Sequence, residues 1–204
     1  MPTPLDISIV ILAAGAATRM KSPKQLLTWG NNTLITHTIE TALELHAKEV
    51  IVVLGANYLL IEKTIKPYPI TILNNKDWKK GLGSSIACGV QHIIQSNYKT
   101  SGVLITLADQ PLIDAKFLLS LIQNFKPNKK HIVATSYGDS KNGVPALFDA
   151  SYFETLVNLN NDYGAKHILN QNTTATIKSL KPPKKNIDID TKEDYLKVLK
   201  ERTS

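Results

Sequence analysis

Between Asp6 and Glu40 the sequence carries no acidic residue, although Arg19, Lys21 and Lys24 all fall inside that stretch. Cysteine is nearly as scarce. Cys88 is the single one, with no partner for an internal disulfide and no CxxC spacing, so the chain is indifferent to an oxidising compartment and suits the cytoplasm. The five histidines are scattered, with no HExxH or Cys/His spacing of the kind that holds zinc. Aromatic residues make up 6% of the chain, thin cover for a basic face that stacks nucleic-acid bases. The opening "MPTPLDISIVILAAG" lacks a charged start, and its apolar run is too short to span a bilayer, so neither export nor membrane anchoring is expected.

What is present is ordinary globular material: 204 residues, 43% hydrophobic and 20% charged. That length is expected to make one domain, residues 1–204, with a sizeable core. Lys plus Arg number 24 against 17 Asp plus Glu, a net charge of +7. The excess favours anionic partners such as nucleotides, nucleic acid or acidic lipid without choosing among them. The lysine-rich patches "KPNKK" and "KPPKK" read first as solvated turns.

Short β-branched runs alternate with helix-period segments. Residues 7–12, 50–54, 70–73, 102–107 and 131–135 read as strands, and three of these runs are apolar throughout, as in a parallel sheet covered on both faces. Residues 33–47, 84–96 and 114–125 place apolar side chains on one helical face, the last behind Asp114 as N-cap. Beyond 135, "GVPALF" and "ATIKSL" read as strands, and "SYFETLV", "GAKHILNQ" and about 192–201 as helices. The repetition predicts a three-layer α/β/α fold with an open, mostly parallel sheet. Ligands of such sheets sit beyond the carboxyl ends of the strands, where strand order reverses. That rule selects the loops after 12, 107 and 189.

In the first loop, Ala13, Ala14 and Gly15 bring almost no side-chain volume, so the backbone can approach a ligand and offer its N–H groups. Arg19 and Lys24 follow within reach, and an unpaired cation cluster calls for an anion. The pattern is neither GxxxxGK[ST] nor GxGxxG. On residues alone the loop is equally a small-residue turn before solvated lysines. In the second, "LADQPLI", Asp109 follows an apolar strand where a carboxylate can hold a hard cation, though "DQP" alone reads better as a turn. In the third, Thr191 and Asp194 suit a helix cap, which leaves Asp188 and Asp190 on opposite sides of the chain, one of them free to face Asp109.

With these residues in view, "LAAGAATRMKSPKQLL" resembles the signature of nucleotidyltransferases that activate sugars and cofactors. The closer resemblance is to the MobA-like NTP transferase family, and within it to the molybdenum cofactor cytidylyltransferases. It extends through "GLGSSIACGV", "LADQPLI", "NGVPALFDASYF", "NNDYGAKHIL" and "DIDTKEDY", nearly end to end. The resemblance implies a Rossmann-like, nucleotide-diphospho-sugar transferase fold and transfer of CMP from CTP to the phosphate of molybdopterin or its metal-loaded form. Leu12, Ala13, Ala14, Gly15, Ser84 and Ser85 would border the nucleoside. Arg19 and Lys24 would hold the triphosphate, with Lys21 a rim residue. Asp109 and Asp190 would ligate Mg²⁺, or Mn²⁺ in its place, so that Arg19, Lys24 and Asp109 form the catalytic set. Gly143, Val144, Pro145 and Phe148 would line the acceptor pocket. The implied partners are a nucleoside triphosphate, a phosphorylated pterin cofactor and, transiently, a molybdoenzyme or its chaperone; nucleic acid and membrane are not among them.

Three positions depart from the commoner family pattern. Ala87 and Tyr163 stand where relatives often carry Arg, and Ala17 replaces the second glycine of the first motif. The first two remove cations on the acceptor side, leaving open a sugar or alcohol phosphate as acceptor; the same reaction with GTP as donor is a further alternative. A non-catalytic cofactor carrier and a basic binding module are the rivals outside enzymology.

Overall fold

A computed structural model describes residues 5–202 except 21, 139–140, 161, 172–175 and 185–186. The first apolar run forms β1 (Leu5–Ala13), followed by two short turns, Thr18–Met20 and Lys24–Leu26, and a small hairpin of β2 (Thr28–Trp29) and β3 (Asn32–Thr33). Helix α1 (Leu34–Leu43) opens on a capping box between Thr33 and Thr36. The alternation continues through β4 (Ala47–Leu54), α2 (Tyr58–Ile65), β5 (Thr71–Asn74), α3 (Leu82–Gln95), β6 (Gly102–Leu107) and α4 (Ala115–Gln123). Asp114 caps α4, its carboxylate accepting from the Phe117 amide at 2.8 Å. The last third holds β7 (Ile132–Ser136), β8 (Asn142–Asp149), α5 (Phe153–Val157), α6 (Lys166–Gln171), β9 (Ile177–Leu180) and α7 (Lys192–Arg202).

Seven strands form one sheet in the order β5-β4-β1-β6-β8-β7-β9. Strands β5, β4, β1 and β6 run parallel, whereas β8 lies antiparallel between β6 and β7. The chain travels outward from β1 to β5 and then returns to β6 on the other side, so the order reverses at β1. Along β1, Ile7, Ile9, Ile11 and Ala13 join the cluster under α1, α2 and α4, while Val10 and Leu12 join the one under α3, α5 and α6. Cover on both faces is why this strand is apolar at successive positions. A third, smaller cluster of Trp29, Leu34, Ile189 and Val198 ties the hairpin to α7 and to the segment that precedes it.

Two elements differ from the sequence reading. The segment 33–47 is helical only to Leu43, because His46 turns left-handed at φ 51° and Ala47 already belongs to β4. Helix α2 gave little signal, since Leu59 and Leu60 are exposed and only Ile61 and Ile65 are buried. No helix among the described residues is long and apolar enough to cross a membrane.

Candidate active site

The turn after β1 is held from beneath. Gln25, buried in the second short turn, donates its Nε2 to the carbonyls of Ala13 and Gly15, both at 2.9 Å. A Cβ built on Gly15 would meet nothing within 4 Å, so the missing side chain leaves open space rather than relieving a clash. That space belongs to a cavity of about 570 Å³ at the carboxyl edge of the sheet, within the roughly 300–1,000 Å³ usual for small-molecule sites.

The cations are not unpaired, as the acid-free stretch alone suggested. Lys24 Nζ donates to Asp109 Oδ2 at 2.5 Å and to Asp190 Oδ1 at 2.9 Å, and Arg19 Nη2 reaches Asp190 Oδ2 at 2.9 Å. Three loops distant in sequence therefore meet at one ammonium group. Asp190 is brought there by the Ile189 amide, which donates to the Asp109 carbonyl at 3.1 Å while the Ile189 side chain is fully buried. Behind it, Thr191 and Asp194 form the expected cap: the Thr191 amide donates to Asp194 Oδ2 at 2.9 Å and the Asp194 amide to Thr191 Oγ1 at 3.2 Å. Asp188 points elsewhere and accepts from Gln110 Nε2 at 2.7 Å, so of the two candidate acids Asp190 is the one that faces Asp109.

The electrostatics follow from burial against pairing. Burial pushes the Asp109 carboxyl up, Lys24 pulls it back, and the nearby Asp188 and Asp190 charges add to the rise. Burial alone would lower Lys24, but the two carboxylates outweigh it and hold the ammonium above its ordinary range. Asp190 is held below the usual carboxylate range, burial being overcome by Lys24 and Arg19. The second Asp109 oxygen, Oδ1, is buried with no hydrogen-bond partner among the described residues. Two carboxylates converging on one cation position, one with an orphaned oxygen, fit a hard divalent ion. No group of three or more His, Cys, Asp or Glu among the described residues forms a protein-only metal cage.

Of the residues singled out in the sequence, Leu12, Ala13, Ala14, Gly15, Lys24, Ser85, Asp109 and Asp190 line the cavity. Arg19 stands at its rim through Asp190, and Lys21 lies outside the described residues. Ser84 is absent from the lining. Its Oγ lies 3.0 Å from the Asp77 carbonyl and 2.8 Å from that of Gly81, and it accepts from Asn75 Nδ2 at 3.0 Å, which ties up the hydroxyl in the preceding turn. Ala17 adopts a left-handed φ of 51°, the conformation glycine would take most readily.

The expected acceptor group lies outside the lining of this cavity. Phe148 is fully buried against Tyr152 and Pro145 is buried in β8, because β8 is sandwiched between two strands and covered on both faces. None of Gly143, Val144, Pro145 and Phe148 lines the cavity. Only Val144 reaches towards the site, its carbonyl accepting from Tyr137 and Gln110 beside Asp188. The cavity instead has walls the sequence reading passed over: Gln25, Trp78, Lys79 and Asp162. A tryptophan inside the lysine-rich "NKDWKKG" was the available signal. Ala87 and Cys88 line a separate shallow groove, where burial raises the Cys88 thiol away from reactive thiolate chemistry.

Comparison with known proteins sets this geometry in a family. Nicotine blue oxidoreductase of Paenarthrobacter nicotinovorans is 32% identical over 170 residues, covering 79% of this chain and 80% of that protein. The chain spans about a quarter of the bifunctional protein GlmU of Rhodococcus opacus, 30% identical over 131 residues that make up 60% of the chain and 26% of GlmU. Among solved structures, a nucleotidyl transferase from Methanothermobacter superposes with a TM-score of 0.82 at 20% identity, covering 97% of this chain and 99% of that one. Rv0371c of Mycobacterium tuberculosis, solved in complex with manganese, gives 0.78 at 23% identity over 95% of this chain and 98% of its own. These two likenesses are of fold. The MobA-like NTP transferase domain matches residues 9–176, a span that includes the side-chain-poor turn, Lys24 and Asp109, and the chain therefore belongs to that family as an enzyme of the nucleotidyltransferase type.

Proposed function

We propose that this enzyme, built as one domain, moves CMP from CTP to the phosphate of molybdopterin or of its metal-loaded form. In that reaction an acceptor phosphate oxygen attacks the α-phosphorus, the bond from that phosphorus to the bridging oxygen breaks, and pyrophosphate leaves. The acceptor phosphate is already ionised near neutrality, so the step needs alignment and charge neutralisation rather than a general base. The observation that carries the reading is the meeting of Lys24, Asp109 and Asp190 in a cavity that the bare Ala13–Gly15 turn also lines.

In this reading Arg19 and Lys24 receive the triphosphate, Arg19 with its planar fork and Lys24 as a point charge. Asp109 and Asp190 would hold Mg²⁺ or Mn²⁺, which supplies Lewis-acid neutralisation of phosphate oxygens. A protein of the same fold, Rv0371c, was solved in complex with manganese, which is in keeping with a divalent ion in this reading. The Ala13–Gly15 amides and Ser85 border the nucleoside. The acceptor enters beside Gln110, Asp188 and the Val144 carbonyl rather than over Phe148.

Thermal unfolding with Mg²⁺ and each of CTP, GTP, ATP and UTP tests the donor. A ligand at one hundred times its Kd adds about 2.7 kcal/mol, so a CTP-selective rise that fades on chelation is expected. A GTP-selective rise would move the donor to GTP, and no rise with any nucleotide would remove the nucleotidyl reading. A second reading is favoured by the relative named nicotine blue oxidoreductase: a redox enzyme on the same scaffold. Consumption of NADH or NADPH without pyrophosphate release would favour it.

A further inference from the structure

The chain has two tryptophans, and they are placed in opposite ways. Trp29 is 5% exposed, belongs to the cluster with Leu34 and Ile189, and lies under the Arg202 guanidinium. Trp78 belongs to none of the three hydrophobic clusters and stands partly exposed in the cavity wall, with the Lys79 ammonium 5.7 Å from its ring centroid. A large apolar ring kept out of the core, between charged residues, contributes little to folding where it is.

The turn that carries it is held rigidly. Trp78 begins a single 3-10 turn, Trp78–Lys80, between β5 and α3. Asn75 Nδ2 donates to Ser84 Oγ and Ser85 Oγ, both at 3.0 Å, and its Oδ1 accepts from the Asp77 amide at 3.0 Å. Ser84 closes the ring of contacts onto the carbonyls of Asp77 and Gly81, and Gly81 completes the turn at a φ of 100° that a side chain would strain. The serine pair thus fixes the turn in place. From beneath, a Cβ on Gly55 would come within 2.5 Å of Trp78 Cβ and 2.9 Å of Ala14 Cβ, so the indole is rooted beside the side-chain-poor turn.

We infer that Trp78 is the wall on which the base of the nucleoside triphosphate stacks. The inference rests on the nucleotidyl reading and deepens it. Trp78 is seated at the end of β4, Asp109 follows β6, and β1 runs between them. At about 4.8 Å per strand spacing, the ends of β4 and β6 lie roughly 10 Å apart, a span that a nucleotide crosses with phosphates at one end and base at the other. Stacking on an indole face tolerates any base. Trp78 therefore supplies affinity, while the choice of base is left to backbone amides and Ser85.

Intrinsic fluorescence with calorimetry tests this on the full chain, using Mg²⁺ with CTP and Mg²⁺ with tripolyphosphate, which carries no ring. CTP should quench the emission, and tripolyphosphate should compete with CTP without quenching. Trp78→Phe should abolish the quench while keeping most of the affinity. Trp78→Ala should weaken CTP and GTP alike, roughly 5- to 150-fold, and leave tripolyphosphate unchanged. Unaltered CTP binding by Trp78→Ala, or equal losses for CTP and tripolyphosphate, would overturn the stacking role alone. Wild-type protein that binds no nucleotide would overturn the nucleotidyl reading and this inference together.

Discussion

Lys24 acts as the internal counter-ion of its own site. With Lys24 paired to both carboxylates and Arg19 to Asp190, two positive charges face two negative ones, a neutralised cluster where the proposed reaction would bring a divalent cation and a polyanion. Replacing Lys24 by Met leaves Asp109 and Asp190 facing each other. The expected cost is roughly 1–3 kcal/mol in metal-free protein, that of an unpaired buried polar group, and added Mg²⁺ or Mn²⁺ should restore more of it in the variant than in wild type. Turnover should fall about 10²–10³-fold for Lys24→Met and for Asp109→Asn, as when one preorganised charge-stabilising group is removed. Turnover within tenfold of wild type would take these residues out of the mechanism. The sequence displayed the cations and the acids plainly, but their pairing joins positions 85 and 166 residues apart, which no local pattern encodes.

At the scale of elements, the site depends on how two loops are anchored. The cap of α7 aims Asp190, so Thr191→Ala should cost about 1 kcal/mol and raise the metal concentration needed for half-maximal turnover. Unchanged metal dependence would make the cap purely structural. At the far end of the sheet, Glu49 on β4 accepts from Thr71, Tyr98 and His92, which joins β5 and α3 to the strand. Burial opposes its charge, yet those hydrogen bonds hold its pKa below the ordinary 4.5. The folded state thus binds the proton less readily than the unfolded chain, so this stabilisation is complete above pH 4.5 and is lost as pH falls through the lower folded value. Denaturant titrations between pH 7 and pH 3 should show wild type losing stability more steeply than Glu49→Gln in that acid window. Parallel acid profiles would dismiss the network. Most elements were readable from period and caps, and those misread failed for local reasons: α2 exposes half of its apolar residues, and the turn after α1 closes on a left-handed histidine rather than a glycine.

Over the whole molecule, the +7 charge and the exposed Arg19 favour capture of a polyanion. Raising ionic strength from about 0.01 M to about 0.15 M shortens the Debye length from ~30 to ~8 Å. The KM for nucleotide should then rise while kcat holds. A KM that does not move would mean that the long-range field plays no part in binding.

The sequence by itself determined the alternation of apolar strands and amphipathic helices, the bare turn after β1 and the two acid-bearing loops, because each is written in contiguous residues. It left Asp188 and Asp190 equivalent and passed over Trp78, while the family resemblance implied Ser84 at the nucleoside and Phe148 at the acceptor. Tertiary structure decided these: the Ile189–Asp109 hydrogen bond and the burial of Ile189 select which acid turns inward, the insertion of β8 between two strands buries Phe148, and the Asn75–Ser84–Ser85 contacts spend the serine hydroxyl on holding an indole in the cavity. Each depends on what the neighbouring element covers, a property of packing that a linear pattern does not carry.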